Sequence, residues 1–133
     1  MEHRYRVVVA ALGPDHPGRA LAATERALRD AGLEVIDAGG AMTPAAAGAV
    51  TVQEDADAVV VALSAGDDGA LLAALGDALR AEGREDAVVV GLGPGAAPDG
   101  VDAAFAPDTP IDTITDWLVA ALGRREERLE ALA

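Results

Sequence analysis

The residues best suited to chemistry lie in one short loop, Gly13-Pro14-Asp15-His16-Pro17-Gly18-Arg19. The loop follows the apolar run 7–12, and a continuous apolar run of this kind predicts a strand that is buried on both faces. Its carboxylate and imidazole therefore stand at the carboxyl end of a strand, where open α/β sheets bind their ligands. We identify Asp15 and His16 as candidate binding residues. The structural alternative is that Asp15 caps the helix that follows.

Length and composition indicate one compact domain. The chain has 133 residues, of which 51% are hydrophobic, and we predict a single domain over 1–133 with its core in 5–122. No apolar run approaches the roughly 20 residues of a membrane span, and residues 1–4 form no apolar signal segment. We therefore expect a cytoplasmic protein without a membrane partner. The absence of cysteine excludes disulfides, a thiolate nucleophile and cysteine-based metal sites.

The charge balance argues against nucleic acid as a partner. The formal net charge is −13, and every positively charged side chain is an arginine. Phosphate contacts require clustered arginine and lysine, which this acidic chain lacks. The same charge argues against this chain binding a polyanion such as coenzyme A on its own.

Strand-like and helix-like segments alternate along the chain, which predicts a parallel α/β sheet with right-handed crossovers. We predict strands at 5–12, 33–38, 57–63, 87–92 and 103–106, and helices at 19–31, 43–55, 68–82 and from 109 onward. The charged tail, 123–133, is expected to extend the last helix into solvent or to be disordered. We expect a flavodoxin-like fold class, with five parallel strands in the order 2-1-3-4-5 and helices on both faces, although the alternation alone does not fix this order.

This strand order places the ligand-binding crevice between strands one and three, next to the loops 13–18, 64–68 and 91–95. A phospho-acceptor receiver is disfavoured, because strand one ends without paired acids and the chain has no lysine. A flavodoxin is disfavoured, because the first loop has no hydroxyl side chain. The glycine-rich loop 91–95 is not a dinucleotide fingerprint, because no helix opens after it.

Several stretches between Arg6 and Leu122 carry a family resemblance, and they are 26–36, 43–44, 53–59, 83–86 and 107–110. Together with chain length and element order, they resemble the cobalamin-binding domain of the acyl-CoA mutases. The resemblance is greatest to the free-standing small subunits of the methylmalonyl-CoA and 2-hydroxyisobutyryl-CoA mutase group. It implies the same flavodoxin-like fold, with cobalamin as the cofactor.

The resemblance also implies a cofactor site built from three loops. The family carries Asp-x-His-x-x-Gly after strand one, where the histidine ligates cobalt and the aspartate orients it. Asp15 matches the aspartate, but Pro17 stands at the histidine position, so His16 is the implied cobalt ligand. The family's Ser-x-Leu and Gly-Gly motifs fall on Ala62-Leu63-Ser64 and Gly91-Leu92-Gly93, where both are altered. The implied cofactor-binding residues are Asp15, His16, Gly18, Ala62, Ser64, Gly91 and Gly93.

Two functions are open at this stage. In the first, the chain is the cobalamin-binding small subunit of an acyl-CoA carbon-skeleton mutase, an isomerase whose separate barrel subunit holds the acyl-CoA. The small subunit is then not catalytic alone. In the second, a non-catalytic relative has lost cobalamin and acts as a structural or regulatory interaction partner. A homodimer is open in either case.

A channel for the cofactor's nucleotide tail separates the two hypotheses. We expect Ala62 and Gly91 to form the floor of this channel, with Leu63 and Leu92 turned to the other face of the sheet. If the strands end early, the two leucines and Pro17 fill the mouth with apolar bulk. Because three motifs are altered, we expect partial filling.

Overall fold

Five parallel strands form one sheet in the order β2-β1-β3-β4-β5, as the sequence predicts. The computed structural model describes residues 4–13, 21–64, 69–93 and 95–132. The strands are β1 (Arg6–Leu12), β2 (Glu34–Met42), β3 (Ala58–Ala62), β4 (Val88–Leu92) and β5 (Ala103–Phe105). The helices are α1 (Ala22–Asp30), α2 (Pro44–Gln53), α3 (Ala70–Ala81) and α4 (Ile111–Leu132).

Alternate side chains of the central strands point into two separate apolar layers. Val7 and Val9 pack against α1 and α4, on what we call the α1/α4 face. Val8 and Ala10 pack against α2 and α3, on the α2/α3 face. These four side chains are completely buried. Each buried valine contributes about 1.5–3 kcal/mol relative to an exposed one, so continuous apolar strands are stable only between two helical layers.

Local sequence signals define the ends of most helices. The hydroxyl of Thr43 accepts a hydrogen bond from the amide of Ala46 at 3.1 Å, and Pro44 occupies the first turn, so the predicted start of α2 is confirmed. The helix ends at Gln53 rather than near Asp55, which has a left-handed φ of 50°. The predicted starts of α1 and α3, at 19 and 68, lie outside the described residues.

Strand β2 is longer than the sequence predicts. We expected it to end at Ala38, before a pair of glycines, but it continues to Met42. Its pairing with β1 shifts register twice, once between Val9 and Ala10 and again before Leu12. Gly39 has a φ of 97°, which glycine adopts without strain. The glycines therefore allow irregularities within the strand rather than ending it.

The last helix differs from the expected solvent-exposed tail. Helix α4 continues to Leu132, so the expected extension of the helix through the tail is confirmed. Arg125 in this tail is buried, however, rather than exposed to solvent. Its guanidinium pairs with Asp57 and Asp86, just before β3 and β4. The tail is thus attached to the sheet. In the described ranges, no helix combines the length and apolar character needed to cross a bilayer.

Candidate functional site

A cavity of about 250 Å³ lies at the carboxyl ends of β3 and β4, on the α1/α4 face of the sheet. Its walls include Leu21 before α1, Leu92 at the end of β4, and Ile111 and Ile114 in the first turn of α4. Ala62, the last residue of β3, also lines it, and its short side chain leaves space between these larger groups. This is the edge where doubly wound sheets bind their ligands.

Apolar side chains predominate in the lining, but polar atoms also contribute to its surface. Two threonine hydroxyls, from Thr24 and Thr109, stand among its lining side chains, and the described lining carries no charged residue. Sequence reasoning did not assign either threonine to the site, since Thr109 was interpreted as a helix start. The position of Thr109 in the sequence could have indicated this role, because a residue between β5 and α4 lies at the carboxyl edge of the sheet.

The strand register corrects the predicted floor of the channel. Ala62 lies beside Leu92, and both pack on the α1/α4 face, whereas Val61 lies beside Gly91. A Cβ on Gly91 would be 2.5 Å from Cδ2 of Leu72, a residue of the α2/α3 face. Ala62 and Gly91 are therefore on opposite faces, and the prediction that they share one floor is wrong. Leu92 was expected on the other face but forms a cavity wall.

Gly91 and Gly93 are each required by close packing, but against different neighbours. Gly91 leaves space for Leu72, away from the cavity. Gly93 lines the cavity, and a Cβ there would be 2.9 Å from Cβ of Leu63 and 3.3 Å from its carbonyl oxygen. The backbones after β3 and β4 approach closely at this point, and only glycine permits that approach.

The structure places four of the seven predicted site residues. Ala62 and Gly93 line the cavity together. Ser64 is exposed just after the end of β3, at the same edge, and Gly91 faces the opposite layer. The other three, Asp15, His16 and Gly18, lie outside the described residues, so the implied cobalt ligand stays a prediction.

Gly13, the last described residue before residues 14–20, lies at the same edge. The amide of Gly13 donates to the carbonyl of Met42 at 3.0 Å, at the carboxyl ends of β1 and β2. Gly13, which directly precedes the candidate loop in sequence, therefore lies at the edge of the sheet that carries the cavity. Within the described parts of the chain, no three carboxylate or imidazole side chains gather as a metal site.

An ionic cluster occupies the opposite, amino-terminal edge of the sheet. The Nη1 of Arg125 lies 2.7 Å from Oδ1 of Asp57, and its Nη2 lies 2.6 Å from Oδ2 of Asp86. Burial raises the pKa of Asp86, but hydrogen bonds from Arg125 and Arg84 outweigh this effect and hold the pKa below its usual value. Tyr5 donates to Glu126, and this bond together with burial raises the pKa of Tyr5 to about 12. The cluster attaches α4 to the amino-terminal edge of the sheet, which is opposite the edge that carries the cavity.

A second electrostatic feature lies between α1 and β2. Glu25 is buried on α1, and burial is the main reason that its pKa is raised. The neighbouring charge of Asp37 raises it further, and Arg29, at 3.7 Å, acts in the opposite direction. Ionised Glu25 is therefore an unfavourable element of the folded state.

The described geometry defines a flavodoxin-like α/β protein with an apolar cavity at its carboxyl edge, and solved structures share this fold. PhyR, an anti-anti-sigma factor from Bartonella quintana, superposes with a TM-score of 0.70 at 16% identity, over 100% of this chain and 53% of that protein. A cobalamin-binding protein from Desulfitobacterium hafniense DCB-2 superposes with a TM-score of 0.65 at 21% identity, over 86% of this chain and 59% of that one. At these identities the likeness shows the fold alone.

Sequence comparison defines the family. No protein-family model matches the chain. The small subunit of 2-hydroxyisobutanoyl-CoA mutase from Aquincola tertiaricarbonis is 34% identical to this chain, and the match covers 90% of this chain and 96% of the relative. The chain belongs to the family of these acyl-CoA mutase small subunits, and the resemblance drawn from its sequence motifs is confirmed.

Proposed function

We propose that this protein is the cobalamin-binding small subunit of an acyl-CoA carbon-skeleton mutase and presents the cofactor to a separate catalytic subunit. The observation that carries the proposal is the cavity beside Ala62, which lies at the carboxyl ends of β3 and β4 and is lined mainly by apolar side chains. Family membership supplies the independent support. The charge of −13 agrees with a division of labour in which the partner holds the polyanionic acyl-CoA.

The size and lining of the cavity suit the end of the cofactor's tail. Pockets for whole small molecules measure about 300–1,000 Å³, so a cavity of about 250 Å³ holds one bicyclic ring system and not a corrin. The apolar walls suit the benzimidazole base of cobalamin. The macrocycle would then rest on the carboxyl edge outside the cavity.

The chain's own groups have three tasks in this proposal. The walls around Ala62 hold the base and exclude water from it. His16 would ligate cobalt, and Asp15 would orient the imidazole through its second nitrogen. When bound, cobalamin supplies homolytic radical chemistry, and the protein contributes ligation and position.

One observation favours the second candidate, a relative that has lost the cofactor. Leu92 interrupts the family's glycine pair, and its side chain forms a wall of the cavity. This wall supports the expectation of partial filling, and Pro17, which that expectation also named, lies outside the described residues. A cofactor-free interaction partner is the alternative that the following experiment tests.

Incubation of the purified protein with hydroxocobalamin or adenosylcobalamin, followed by desalting and an absorbance spectrum, tests the proposal. We expect the corrin to elute with the protein. His16→Ala should shift the corrin bands and reduce retention, because it removes the imidazole that would ligate cobalt. The matched control is His3→Ala, the chain's other histidine. If the wild-type protein elutes without corrin, the cofactor role is wrong and the interaction-partner hypothesis replaces it.

A substitution that fills the cavity tests the same site independently of His16. Ala62→Phe places an aromatic ring where the base would lie, and it should abolish retention of cobalamin while the protein stays folded by circular dichroism. Ala74→Phe, on an exposed position of α3, is the matched control and should bind as the wild type does. Equal retention by both variants would place the cofactor elsewhere on the molecule.

A further inference from the structure

We propose that the end of β2, residues 39–42, is a strained strap that opens and closes the carboxyl edge of the sheet beside β1, with Ala41 as its hinge. We call these residues the β2 strap. The inference concerns a conformational change of the free protein, and only its link to the cofactor rests on the proposed function. Three observations support it, namely the backbone angle of Ala41, the shifts of strand register and the hydrogen bond between Gly13 and Met42.

Ala41 has a backbone conformation that alanine rarely adopts. Its φ of 54° lies in the left-handed region, which is disfavoured for alanine by about fivefold or more. Among the described residues, Asp55 is the other non-glycine residue with a positive φ. Asp55 directly follows the C-cap of α2, where this conformation ends many helices. Ala41 lies within a strand, so a helix end does not explain its strain.

The β2 strap has one residue more than the part of β1 beside it. Ala10 pairs with Gly39 and Leu12 pairs with Met42, so two steps along β1 match three steps along β2. An extra residue of this kind bends its strand. The side chain of Ala41 is exposed, so the contacts that maintain the strain must come from its neighbours.

Met42 holds Ala41 in the strained conformation. The carbonyl of Met42 accepts the hydrogen bond from the amide of Gly13 at 3.0 Å, and its side chain packs against the α2/α3 face. Strained backbone persists only where the surrounding contacts outweigh the strain. Release of the bond to Gly13 therefore lets Ala41 relax, and relaxation of Ala41 favours that release.

Opening of the β2 strap changes the carboxyl edge at the start of the candidate loop. Gly13 directly precedes residues 14–20 in sequence, and its bond to Met42 joins β2 to β1 at this point. β2 is the outermost strand, so within the described sheet no strand holds it from the other side. In the open state, the amide of Gly13 and the carbonyl of Met42 become accessible to water or to a ligand.

Amide hydrogen exchange, followed residue by residue with NMR, measures this opening, and urea denaturation measures global unfolding. We expect the Gly13 amide to exchange through a local opening that is at least about tenfold more frequent than global unfolding and is insensitive to low urea concentrations. Ala41→Gly removes the strain from the closed state, so it should slow exchange of this amide about fivefold. Exchange of the Gly13 amide only through global unfolding overturns the proposal.

Asp55→Gly is the matched control, because Asp55 also has a positive φ but lies just before β3, at the amino-terminal edge. It should leave exchange of the Gly13 amide within about twofold of the wild type, since it does not act on the local opening. Ala41→Val should accelerate the exchange, because a β-branched residue tolerates a positive φ less well than alanine. An unchanged rate in Ala41→Gly, or equal slowing by Ala41→Gly and Asp55→Gly, overturns the assignment of the hinge to Ala41.

Hydroxocobalamin tests the link between the β2 strap and the proposed function. A corrin on the carboxyl edge should hold the strap closed, so saturating hydroxocobalamin should slow exchange of the Gly13 amide in the wild type. Binding without a change in this exchange overturns the link to the cofactor. If hydroxocobalamin does not bind, the proposed function is overturned, whereas exchange in the ligand-free protein still decides whether the strap opens.

Discussion

Replacement of Arg125 by methionine should destabilise this protein far more than its place in a charged tail suggests. Arg125 donates three hydrogen bonds, to Oδ1 of Asp57 at 2.7 Å, to Oδ2 of Asp86 at 2.6 Å and to the carbonyl of Asp86 at 3.0 Å. Methionine keeps the apolar stem and removes the charge. Two carboxylates then face each other at the amino-terminal edge without their shared counter-ion.

The magnitude follows from the burial of the groups left behind. Loss of one partner from a fully buried ion pair costs about 3–5 kcal/mol. The side chain of Arg125 is 9% exposed, but Asp57 and Asp86 are 16% and 26% exposed, so solvent recovers part of this loss. Arg84 also stays beside Asp86, at 3.2 Å. We therefore expect a decrease of about 2–3 kcal/mol in the free energy of unfolding, or roughly 10 °C in Tm.

Urea denaturation and thermal melting followed by circular dichroism measure this change. Arg124→Met is the matched control, since Arg124 is an exposed neighbour on the same helix, and it should change stability by less than about 0.5 kcal/mol. Equal stabilities of the two variants would refute the reasoning. So would a loss below about 1 kcal/mol for Arg125→Met, because the pair would then behave as a surface ion pair.

The acid limb of the stability curve gives a second measurement. The pKa of Asp86 is lowered in the folded state, so its contribution is complete above the unfolded-state value of about 3.9 and is lost as the pH falls through the folded value. Arg125→Met removes a main cause of the lowering. As the pH falls from about 5 to below the folded pKa of Asp86, the free energy of unfolding should therefore decrease less for the variant than for the wild type.

Two further predictions concern the close strand approach and the buried acid on α1. Gly93→Ala should lower the free energy of unfolding by about 1–3 kcal/mol in urea titrations, because its Cβ would be 2.9 Å from Cβ of Leu63; Gly123→Ala, which meets open space on α4, should instead raise it by about 0.5–1 kcal/mol. Equal effects would contradict the packing argument. Glu25→Gln should melt at a higher temperature than the wild type at pH 7, because the raised pKa makes the ionised form unfavourable in the folded state. That advantage should shrink as the pH falls through the raised folded pKa of Glu25 and vanish below the unfolded-state value of about 4.3. Glu127→Gln, on an exposed position, is the control variant.

Sequence reasoning succeeded where the signal is local. The apolar run 57–63 predicted a strand buried on both faces, and β3 lies in the middle of the sheet. Thr43 and Pro44 predicted the start of α2, because a hydroxyl acceptor and a fixed φ act within one turn. Sequence reasoning failed for the end of β2. We expected its glycines to end the strand, whereas β2 continues past them and its pairing with β1 shifts register twice.

The candidate site shows why a motif does not place its own side chains. Ala62 was assigned correctly to the carboxyl edge, but Gly91 was assigned to the wrong face. Side chains alternate between faces along a strand, so an error of one residue in the pairing of two strands moves a residue to the opposite layer. Only the observed register, with Ala62 beside Leu92, decides which residues share a cavity.

The sequence by itself determined the alternation of strands and helices, the burial of the central strands on both faces and the family, because periodicity, caps and motifs are properties of neighbouring residues. The tertiary structure alone decided that Leu92 forms a wall of the cavity and that Arg125 is buried in ion pairs with Asp57 and Asp86. These groups are 68 and 39 residues from Arg125 along the chain. No local pattern encodes such a contact, since it exists only when three elements meet at one edge of the folded sheet.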